Sequence, residues 1–340
     1  MNPRYRRLLI PGLLVALIAV VLVTSLRREA QGATLPRAGG VDGFDVVSTI
    51  TDPRITESSG LVISNGHPDL AYTINDSGNT PVVFAIRVST GKVVGATRVT
   101  GGTLLDTEAL SIDSDGTLWI ADTGDNDNTR IDAALYALPE PGEGDHSVKA
   151  DRYPVAYTDG PQDIETLLIN PKTNKKYLVS KGLFGGEVYP LPAALKTDTA
   201  NKLTLINAEV PLLLTDGAFT PDGRYAVLRS YIGIHVFDVR TWQQVRTEPL
   251  PYQKQGETLA VESAGDSFLI GSEGAGSTLL RFGFSVAANV PVPAGPTATP
   301  TRSSEADGSP SGGFELNPWV IGVAAVVTVA AGAVVVRRRR

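Results

Sequence analysis

The chain has 340 residues, with 30 basic and 36 acidic side chains and no cysteine. The lack of cysteine excludes disulfides, thiol catalysis and cysteine metal sites. Nine basic residues and one acidic residue lie near the two ends, so the remainder has 21 basic and 35 acidic residues, a net charge of −14. This balance argues against nucleic acid as a partner and favours cations or cationic ligands.

The first 33 residues predict a signal peptide or an uncleaved signal anchor. Three arginines within residues 4–7 precede an uncharged apolar stretch at residues 8–26, which is long enough for either. Residues 30–33 offer a small-residue cleavage site, whereas the charged residues at 27–29 are unusual in a cleaved signal. Both alternatives therefore stay open.

A short acidic phrase recurs through the middle of the chain, and each copy is followed by strand-like sequence. We align Ser59, Glu108, Glu165, Gly217 and Glu257 as equivalent positions, which lie 40 to 57 residues apart. A period in this range, with several short strands inside each unit, is typical of a β-propeller. The repeat therefore predicts an all-β propeller.

The propeller is predicted to cover residues 41–285 and to have five blades. Turn signals such as Asn65-Gly66 and Asp115-Gly116 separate the first and second strands of the units. The last unit lacks a fourth strand, and residues 44–50, ahead of the first unit, supply one. We expect this N-terminal strand to complete the C-terminal blade and close the ring, which removes open sheet edges. A sixth blade and an all-β sandwich are the alternatives.

The C-terminal end predicts a stalk and a membrane anchor. Residues 286–317 are rich in Pro, Thr and Ser and predict a disordered segment. Residues 318–336 predict a transmembrane helix, and the arginines at 337–340 predict a cytoplasmic tail. We therefore expect a cell-membrane protein, single-pass or, with an uncleaved N-terminal segment, two-pass, whose propeller is extracytoplasmic. The Ala, Val and Arg bias indicates a bacterium.

The propeller topology predicts that polar residues from all blades meet at one channel mouth. The first strand of each blade lines the channel, and its start lies beside the end of the antiparallel second strand. The starts of the first strands contribute the candidate metal ligands Asp106, Glu108, Asp163, Glu165, Asp216 and Glu257. The ends of the second strands contribute the candidate ligand-binding residues Asp76, Asp122, Lys181, Arg229, Tyr231 and Glu273.

Like charges at one small opening repel each other and raise each other's pKa, so something must compensate them. A hard cation such as Ca²⁺, which takes six to eight oxygen ligands, is one candidate. Pairing of the carboxylates with Lys181, Arg229 and backbone amides is the other, and it would tie neighbouring blades together. The sequence leaves both explanations open.

Signatures of common catalytic sites are missing from the sequence. It contains no nucleophile elbow, no Walker loop and no His-Glu-x-x-His, and its three histidines do not suggest a triad or a zinc site. An enzyme would have to use a bound metal with carboxylates to hydrolyse a phosphoric or carboxylic ester. Its candidate catalytic residues are Glu108, Glu165, Glu257, Lys181 and Arg229. No complete catalytic set is recognisable, which favours a binding module.

Several motifs carry a family resemblance. They are Glu57-Ser-Ser-Gly-Leu61 with Asn75-Asp-Ser-Gly78, Asp106-Thr-Glu108-Ala-Leu110 with Ile120-Ala-Asp-Thr-Gly-Asp-Asn126, and Asp163-Ile-Glu165 with Ser180-Lys181. With these motifs the chain resembles exported β-propeller proteins of actinobacteria and, more distantly, bacterial phytase-like and esterase-like propellers of the YVTN and TolB type.

The resemblance to phytase-like propellers implies calcium ions at the channel mouth that bind substrate phosphate. The positions that correspond to calcium ligands are Asp106, Glu108, Asp163, Glu165 and Glu257, and Lys181 and Arg229 are the candidates for a basic phosphate clamp. We therefore expect a membrane-anchored binding module with an acidic, calcium-binding mouth, whose partner is a cell-envelope protein or a small ligand. A calcium-dependent phytase-like or esterase-like hydrolase is the alternative.

Overall fold

The computed structural model describes residues 43–283, and this part of the chain forms 22 β-strands in five sheets and no helix. Each sheet has an antiparallel core of four strands. The first strands of neighbouring sheets contact one another around a ring, so the sheets are the blades of a five-bladed β-propeller. The predicted fold and blade number are confirmed, and the six-bladed alternative is wrong.

The first two blades follow one another along the chain. Blade 1 contains β2 (Ser58–Ile63), β3 (Leu70–Asn75), β4 (Val82–Arg87) and β5 (Lys92–Thr100). Blade 2 contains β6 (Thr107–Ile112), β7 (Thr117–Asp122), β8 (Ala134–Pro139) and β10 (Asp151–Tyr157). Each is a simple antiparallel meander, as the turn signals predict.

The remaining blades complete the ring. Blade 3 contains β11 (Ile164–Ile169), β12 (Lys176–Ser180), β13 (Gly186–Pro190) and β15 (Ile206–Val210). Blade 4 contains β16 (Leu214–Phe219), β17 (Tyr225–Ser230), β18 (Gly233–Asp238) and β19 (Gln243–Pro249). Blade 5 contains β20 (Thr258–Val261), β21 (Ser267–Gly271), β22 (Thr278–Gly283) and β1 (Phe44–Thr49).

The N-terminal strand closes the ring as predicted. β1 pairs antiparallel with β22, and Phe44 lies opposite Phe282 with the two rings stacked 4.7 Å apart. Phe44 is buried, and burying such a side chain contributes roughly 2 kcal/mol or more. The two ends of the described chain therefore hold each other in the last blade.

Two short strands extend the outer edges of blades and were not predicted. β9 (Gly144–Lys149) pairs parallel with β5, and β14 (Asn201–Leu203) pairs parallel with β10. Residues 201–203 thus extend blade 2, whereas the strand that follows them, β15, belongs to blade 3. β9 is polar and almost wholly exposed, so it has no alternation that a sequence pattern could reveal.

The hydrophobic core lies in the seams between the blades. Five clusters of buried apolar side chains join blades 1 and 2, 2 and 3, 3 and 4, 4 and 5, and 5 and 1. Strands β3, β11 and β17 are buried over their whole length because both of their faces pack on neighbouring blades. The packing is therefore continuous around the ring, and it fixes the positions of the first strands.

Within residues 43–283 no helix is long and apolar enough to cross a membrane. The chain divides into two units after Pro291, and all described residues belong to the first unit. The predicted signal at residues 1–33, the stalk at 286–317, the transmembrane helix at 318–336 and the tail at 337–340 lie outside the described residues. They remain predictions.

Candidate functional site

The start of each first strand lies beside the end of a second strand, so both open on one face, which we call the mouth face. Thr107 pairs with Asp122 in blade 2, and Ile164 pairs with Ser180 in blade 3. The equivalent pairs in the other blades are Ser58 with Asn75, Leu214 with Ser230, and Thr258 with Gly271.

Four first strands carry a β-bulge near this start. The extra residue of β2 is Gly60, one position further along its strand. The other three bulges directly follow the first pair, and their extra residues are Glu108, Glu165 and Thr215, each without a partner in the ladder to its second strand. A bulge of this kind re-aims a side chain at the rim of a sheet. The ladder therefore places Thr215 of blade 4 at the position of the two glutamates, and the sequence alignment that used Gly217 is wrong by two residues.

Three carboxylates from the seam of blades 1 and 2 form what we call the acidic triad, Asp76, Asp106 and Glu108. One oxygen from each lies within 4.8 Å of the others. Asp76 directly follows β3, and Asp106 directly precedes β6. The Thr107 hydroxyl donates a hydrogen bond to the carbonyl oxygen of Asn75 at 2.6 Å, which holds these two strand ends together. Oxygen donors of this kind suit a hard divalent cation.

Gly124 lets the triad approach the backbone of the next loop. Its amide donates a hydrogen bond to the carbonyl oxygen of Asp106 at 3.1 Å. A Cβ atom at this position would clash with the carboxylate oxygens of both Glu108 and Asp106. Gly124 was not among the predicted site residues, and the signal that could have found it is a glycine inside the acidic run that starts at Asp122.

Burial and mutual repulsion disfavour the charged form of the triad. Burial is the larger cause that raises the pKa of Asp106 to about 6, and the charge of Asp76 adds to it. Burial raises the pKa of Glu108 well above its usual range, with contributions from Glu165, Asp76 and Asp106. The pKa of Asp76 is raised by burial first and then by Glu257. Arg130 lowers the pKa of Asp106, and Lys181 lowers that of Glu108. Neither offsets burial and repulsion, so the pKa of both carboxyls stays raised.

The other side of the mouth contains a lysine between glutamates. Lys181 follows β12 and donates a hydrogen bond to Glu165 at 2.7 Å, and its Nζ lies 5.7 Å from the centre of the Tyr231 ring. Tyr231 in turn donates to Glu257 at 2.9 Å. Burial opposes a charge on Lys181, but Glu165, Tyr231 and Glu257 outweigh it and raise its pKa. Lys181 is therefore cationic, and its charge is engaged by Glu165.

Glu273 links the two sides of the mouth. Burial is the first cause that raises its pKa, to about 7, followed by the charges of Glu257, Asp76 and Glu57. The structure thus brings most of the predicted residues to one mouth: Asp76, Asp106, Glu108, Glu165, Lys181, Tyr231, Glu257 and Glu273. The mouth remains strongly acidic, with Lys181 on one side and Arg130 beside Asp106 on the other.

Asp216 is not at the mouth, although the sequence suggested it as a metal ligand. It is fully buried, and it accepts hydrogen bonds from the amides of Gly217 at 2.8 Å, Leu259 at 2.7 Å and Leu61 at 3.3 Å. These amides belong to blades 4, 5 and 1. Its carboxylate ties inner strands together and is not available to a ligand from solvent.

Arg229 is also withdrawn from the mouth. It is buried and donates hydrogen bonds to the carbonyl oxygens of Thr258 at 2.5 Å and Gly271 at 2.8 Å. It lies opposite Asp216 in the ladder of blade 4. Arg229 therefore braces the seam between blades 4 and 5, and it does not form part of a phosphate clamp.

Asp122 and Asp163 organise loops at the mouth. Asp122 is buried and accepts hydrogen bonds from the amides of Leu105 at 3.0 Å and Asp106 at 2.8 Å, and from Arg130 at 3.1 Å. Asp163 is half-buried and accepts a hydrogen bond from the amide of Asp125 at 2.8 Å. Asp122 thereby sets the position of Asp106 in the triad and does not face a ligand.

The comparisons with known proteins add little to this geometry. No protein-family model matches the chain, and no curated protein matches its sequence. Among solved structures, a gluconolactonase from Xanthomonas campestris is similar, with 15% sequence identity over 70% of this chain and 88% of that chain and a TM-score of 0.43. A likeness at this level gives no information about the site or its chemistry.

Proposed function

We propose that this protein is a binding module whose channel mouth holds a divalent cation, Ca²⁺ in particular, at Asp76, Asp106 and Glu108. The observation that carries the proposal is the convergence of three carboxylate oxygens within 4.8 Å in a largely buried setting. Such a group is destabilised by desolvation and repulsion, and a cation would relieve both. Lys181 and Arg130 relieve them only in part, because Lys181 is bonded to Glu165 and Arg130 to Asp122 and Asp132.

The donor set favours a hard cation. The three triad residues offer only carboxylate oxygens, whereas most zinc sites in proteins include at least one histidine or cysteine ligand. Ca²⁺ commonly combines carboxylates with carbonyl groups and water in six- to eight-fold coordination. Three charged ligands in a rigid seam between blades would support binding, and extracellular calcium modules bind with dissociation constants of roughly 10⁻⁴–10⁻³ M.

We propose further that the module works outside a bacterial cell membrane. The apolar segments at residues 8–26 and 318–336, with arginines on the flank of each, support an anchored chain whose propeller is extracytoplasmic. The partner on this account is a cell-envelope protein or a small ligand. The high calcium concentrations found outside cells suit a low-affinity site.

A metal-dependent ester hydrolase is the second candidate. Lys181 and Tyr231 lie on the same mouth as the triad, so a substrate oxygen bound to the cation would approach a positive charge and a phenol. Glu108, Glu165, Glu257 and Lys181 are the catalytic candidates that remain at the mouth. Because Lys181 stays protonated, it would stabilise charge and not accept a proton. This leaves the base unassigned and favours the binding module.

Thermal unfolding of the full chain with calcium and with chelator tests the proposal. A ligand that binds only the folded state raises Tm by mass action. We expect calcium to raise Tm for the wild type and for Asp127→Asn, an exposed acidic residue outside the triad, and to have no effect on Asp106→Asn. Identical unfolding curves of the wild type with calcium and with chelator would contradict the proposed cation site.

A screen with phosphomonoesters and carboxylic esters in the presence of calcium separates the two functions. Turnover that is lost in Lys181→Met and in Glu108→Gln, but not in Asp127→Asn, would establish the hydrolase. If the protein is only a binding module, the wild type should hydrolyse these esters no faster than Glu108→Gln.

A further inference from the structure

Exposed large apolar side chains are concentrated on one face of the described propeller. Nine such side chains occur in residues 43–283, and seven of them lie in loops that enter a first strand or join a second strand to a third. Both kinds of loop open on the mouth face, because first strands start there and second strands end there. The two exceptions are Val46 on β1 and Leu205 between β14 and β15.

Five of these side chains form what we call the apolar rim, Leu183, Phe184, Leu212, Ile232 and Tyr252. Phe184 is fully exposed, and Ile232 and Tyr252 are 76% and 80% exposed. They come from the loops of blades 3 and 4 and from the loop that leads into blade 5. Because water contacts most of the surface of Phe184, Ile232 and Tyr252, these three side chains contribute little to the stability of the propeller.

Backbone hydrogen bonds join the rim residues into two groups, and the contact of Lys181 Nζ with the Tyr231 ring at 5.7 Å brings the loops of the two groups together. The amide of Leu213 donates to the carbonyl oxygens of Lys181 at 2.8 Å and Gly182 at 3.1 Å, which places Leu212 beside the turn of Leu183 and Phe184. The carbonyl oxygen of Ile232 accepts from the amide of Leu250 at 3.1 Å, which ties Ile232 to the loop of Tyr252.

The rim borders the acidic part of the mouth. The loop of Tyr252 continues to Gln255, whose carbonyl oxygen accepts a hydrogen bond from the amide of Glu273 at 2.8 Å. The amide of Gly274 donates to the carbonyl oxygen of Thr56 at 2.9 Å, which brings the exposed Glu57 next to Glu273. An apolar surface beside two carboxylates therefore lies on one face, outside the acidic triad.

We propose that the apolar rim docks a second protein that presents a Lys or Arg side chain flanked by aliphatic or aromatic residues. The apolar residues of the partner cover Phe184, Ile232 and Tyr252, and its basic group faces Glu273 and Glu57. A contiguous exposed apolar surface bordered by charge marks an interaction site. Charge complementarity selects a basic partner and steers its approach.

The carboxylates at the mouth disfavour two other partners of the apolar rim, a second copy of this chain and an anionic membrane. A second copy of this chain in a two-fold interface would place two acidic mouths against each other. An anionic bilayer would meet the same repulsion. The docking surface uses no residue of the triad, so it goes beyond the proposed cation site and does not depend on it.

A peptide-display selection on the immobilised full chain tests the docking surface. We expect selection from a random library to enrich peptides with Lys or Arg next to aliphatic or aromatic residues. A synthetic peptide of the enriched sequence should bind at least tenfold more weakly to Phe184→Ser and to Ile232→Ser. Binding to Leu205→Ser, an exposed apolar residue outside the mouth face, should equal that of the wild type.

An unchanged Tm first confirms that each variant is folded. Enriched peptides without basic residues, or equal binding to wild type and Phe184→Ser, would overturn the proposal. So would self-association of the full chain, or its binding to anionic vesicles, that Phe184→Ser abolishes. Peptide binding that persists in Asp106→Asn, together with a failed calcium titration, would retain the docking surface and reject the cation site.

Discussion

Asp216 accepts a hydrogen bond from the amide of Leu61 at 3.3 Å, although 155 residues separate the two in the chain. The same carboxylate accepts the amide of Leu259 at 2.7 Å. It therefore links blade 4 to blade 5 and to blade 1, across the point where the ring closes. A carboxylate with the residue type of a metal ligand serves here as a structural tie, because all of its partners are backbone amides.

Replacing Asp216 should weaken the ring strongly. In Asp216→Ala three amides lose their acceptor in a fully buried setting, and each unsatisfied buried donor costs about 1–3 kcal/mol. We expect a loss of about 3 kcal/mol or more in the free energy of unfolding, measured by urea denaturation. The exposed control Asp127→Ala should change it by less than about 0.5 kcal/mol. Similar values for the two variants would show that the tie contributes nothing.

Lys181 should stabilise the mouth in a pH-dependent way. In Lys181→Met the buried Glu165 loses its partner at 2.7 Å, and breaking such a pair leaves an uncompensated charge. We expect a loss of about 2 kcal/mol or more at pH 7. The loss should shrink as the pH falls to 5, because burial raises the pKa of Glu165 and a glutamate without its lysine takes up a proton more readily at lower pH. Urea denaturation of both proteins at the two pH values measures this, and an equal loss at both would contradict the pairing.

The chain without bound metal should lose stability as the pH rises from about 4.5 to 7. The folded-state pKa is about 6 for Asp106 against 3.8 ordinarily, and about 7 for Glu273 against 4.5. The folded state binds these protons more tightly than the unfolded state, so their stabilising contribution is full below the ordinary values and is lost as the pH passes the raised ones.

Thermal unfolding in chelator across this pH range checks the expectation. The decline in Tm should be smaller in the double variant Asp106→Asn, Glu273→Gln, in which neither group titrates. Saturating calcium should also reduce the decline for the wild type, because the cation displaces the protons from the triad. A decline of the same size in wild type and double variant would assign the pH dependence to other groups.

Much of the fold follows from local sequence signals. The repeat of strands and turns predicts five blades, and the missing fourth strand of the last unit predicts the closure by β1 that the structure shows. The parallel additions β9 and β14 could not be predicted in this way. They depend on edge pairing between segments far apart in the chain, and Gly95 has to lack a side chain for Gly144 to approach.

The position of a mouth residue could be predicted where the order of the strands in a blade determines it. It could not be predicted where the register between two strands determines it. Asp76, Asp106 and Glu108 converge because strand starts and ends share one face. Thr215 and Asp216 differ by one position along the same strand and are both buried, yet the first occupies the bulge and the second accepts three backbone amides inside the ring. The fourth repeat therefore has Thr215 where two other repeats have glutamate, and its carboxylate, Asp216, ties inner strands together. The sequence pattern could not distinguish this structural tie from an asymmetric ligand site.

Titration calorimetry of calcium into the chelator-treated full chain shows whether the acidic triad holds a cation. A cation site at the triad predicts saturable binding of one ion to the wild type and to Asp127→Asn, with an affinity that rises from pH 5 to pH 7 as the triad loses its protons. It predicts no binding to Glu108→Gln or Asp106→Asn at the same concentrations. Absence of binding to the wild type, or equal binding to Asp106→Asn, would contradict it.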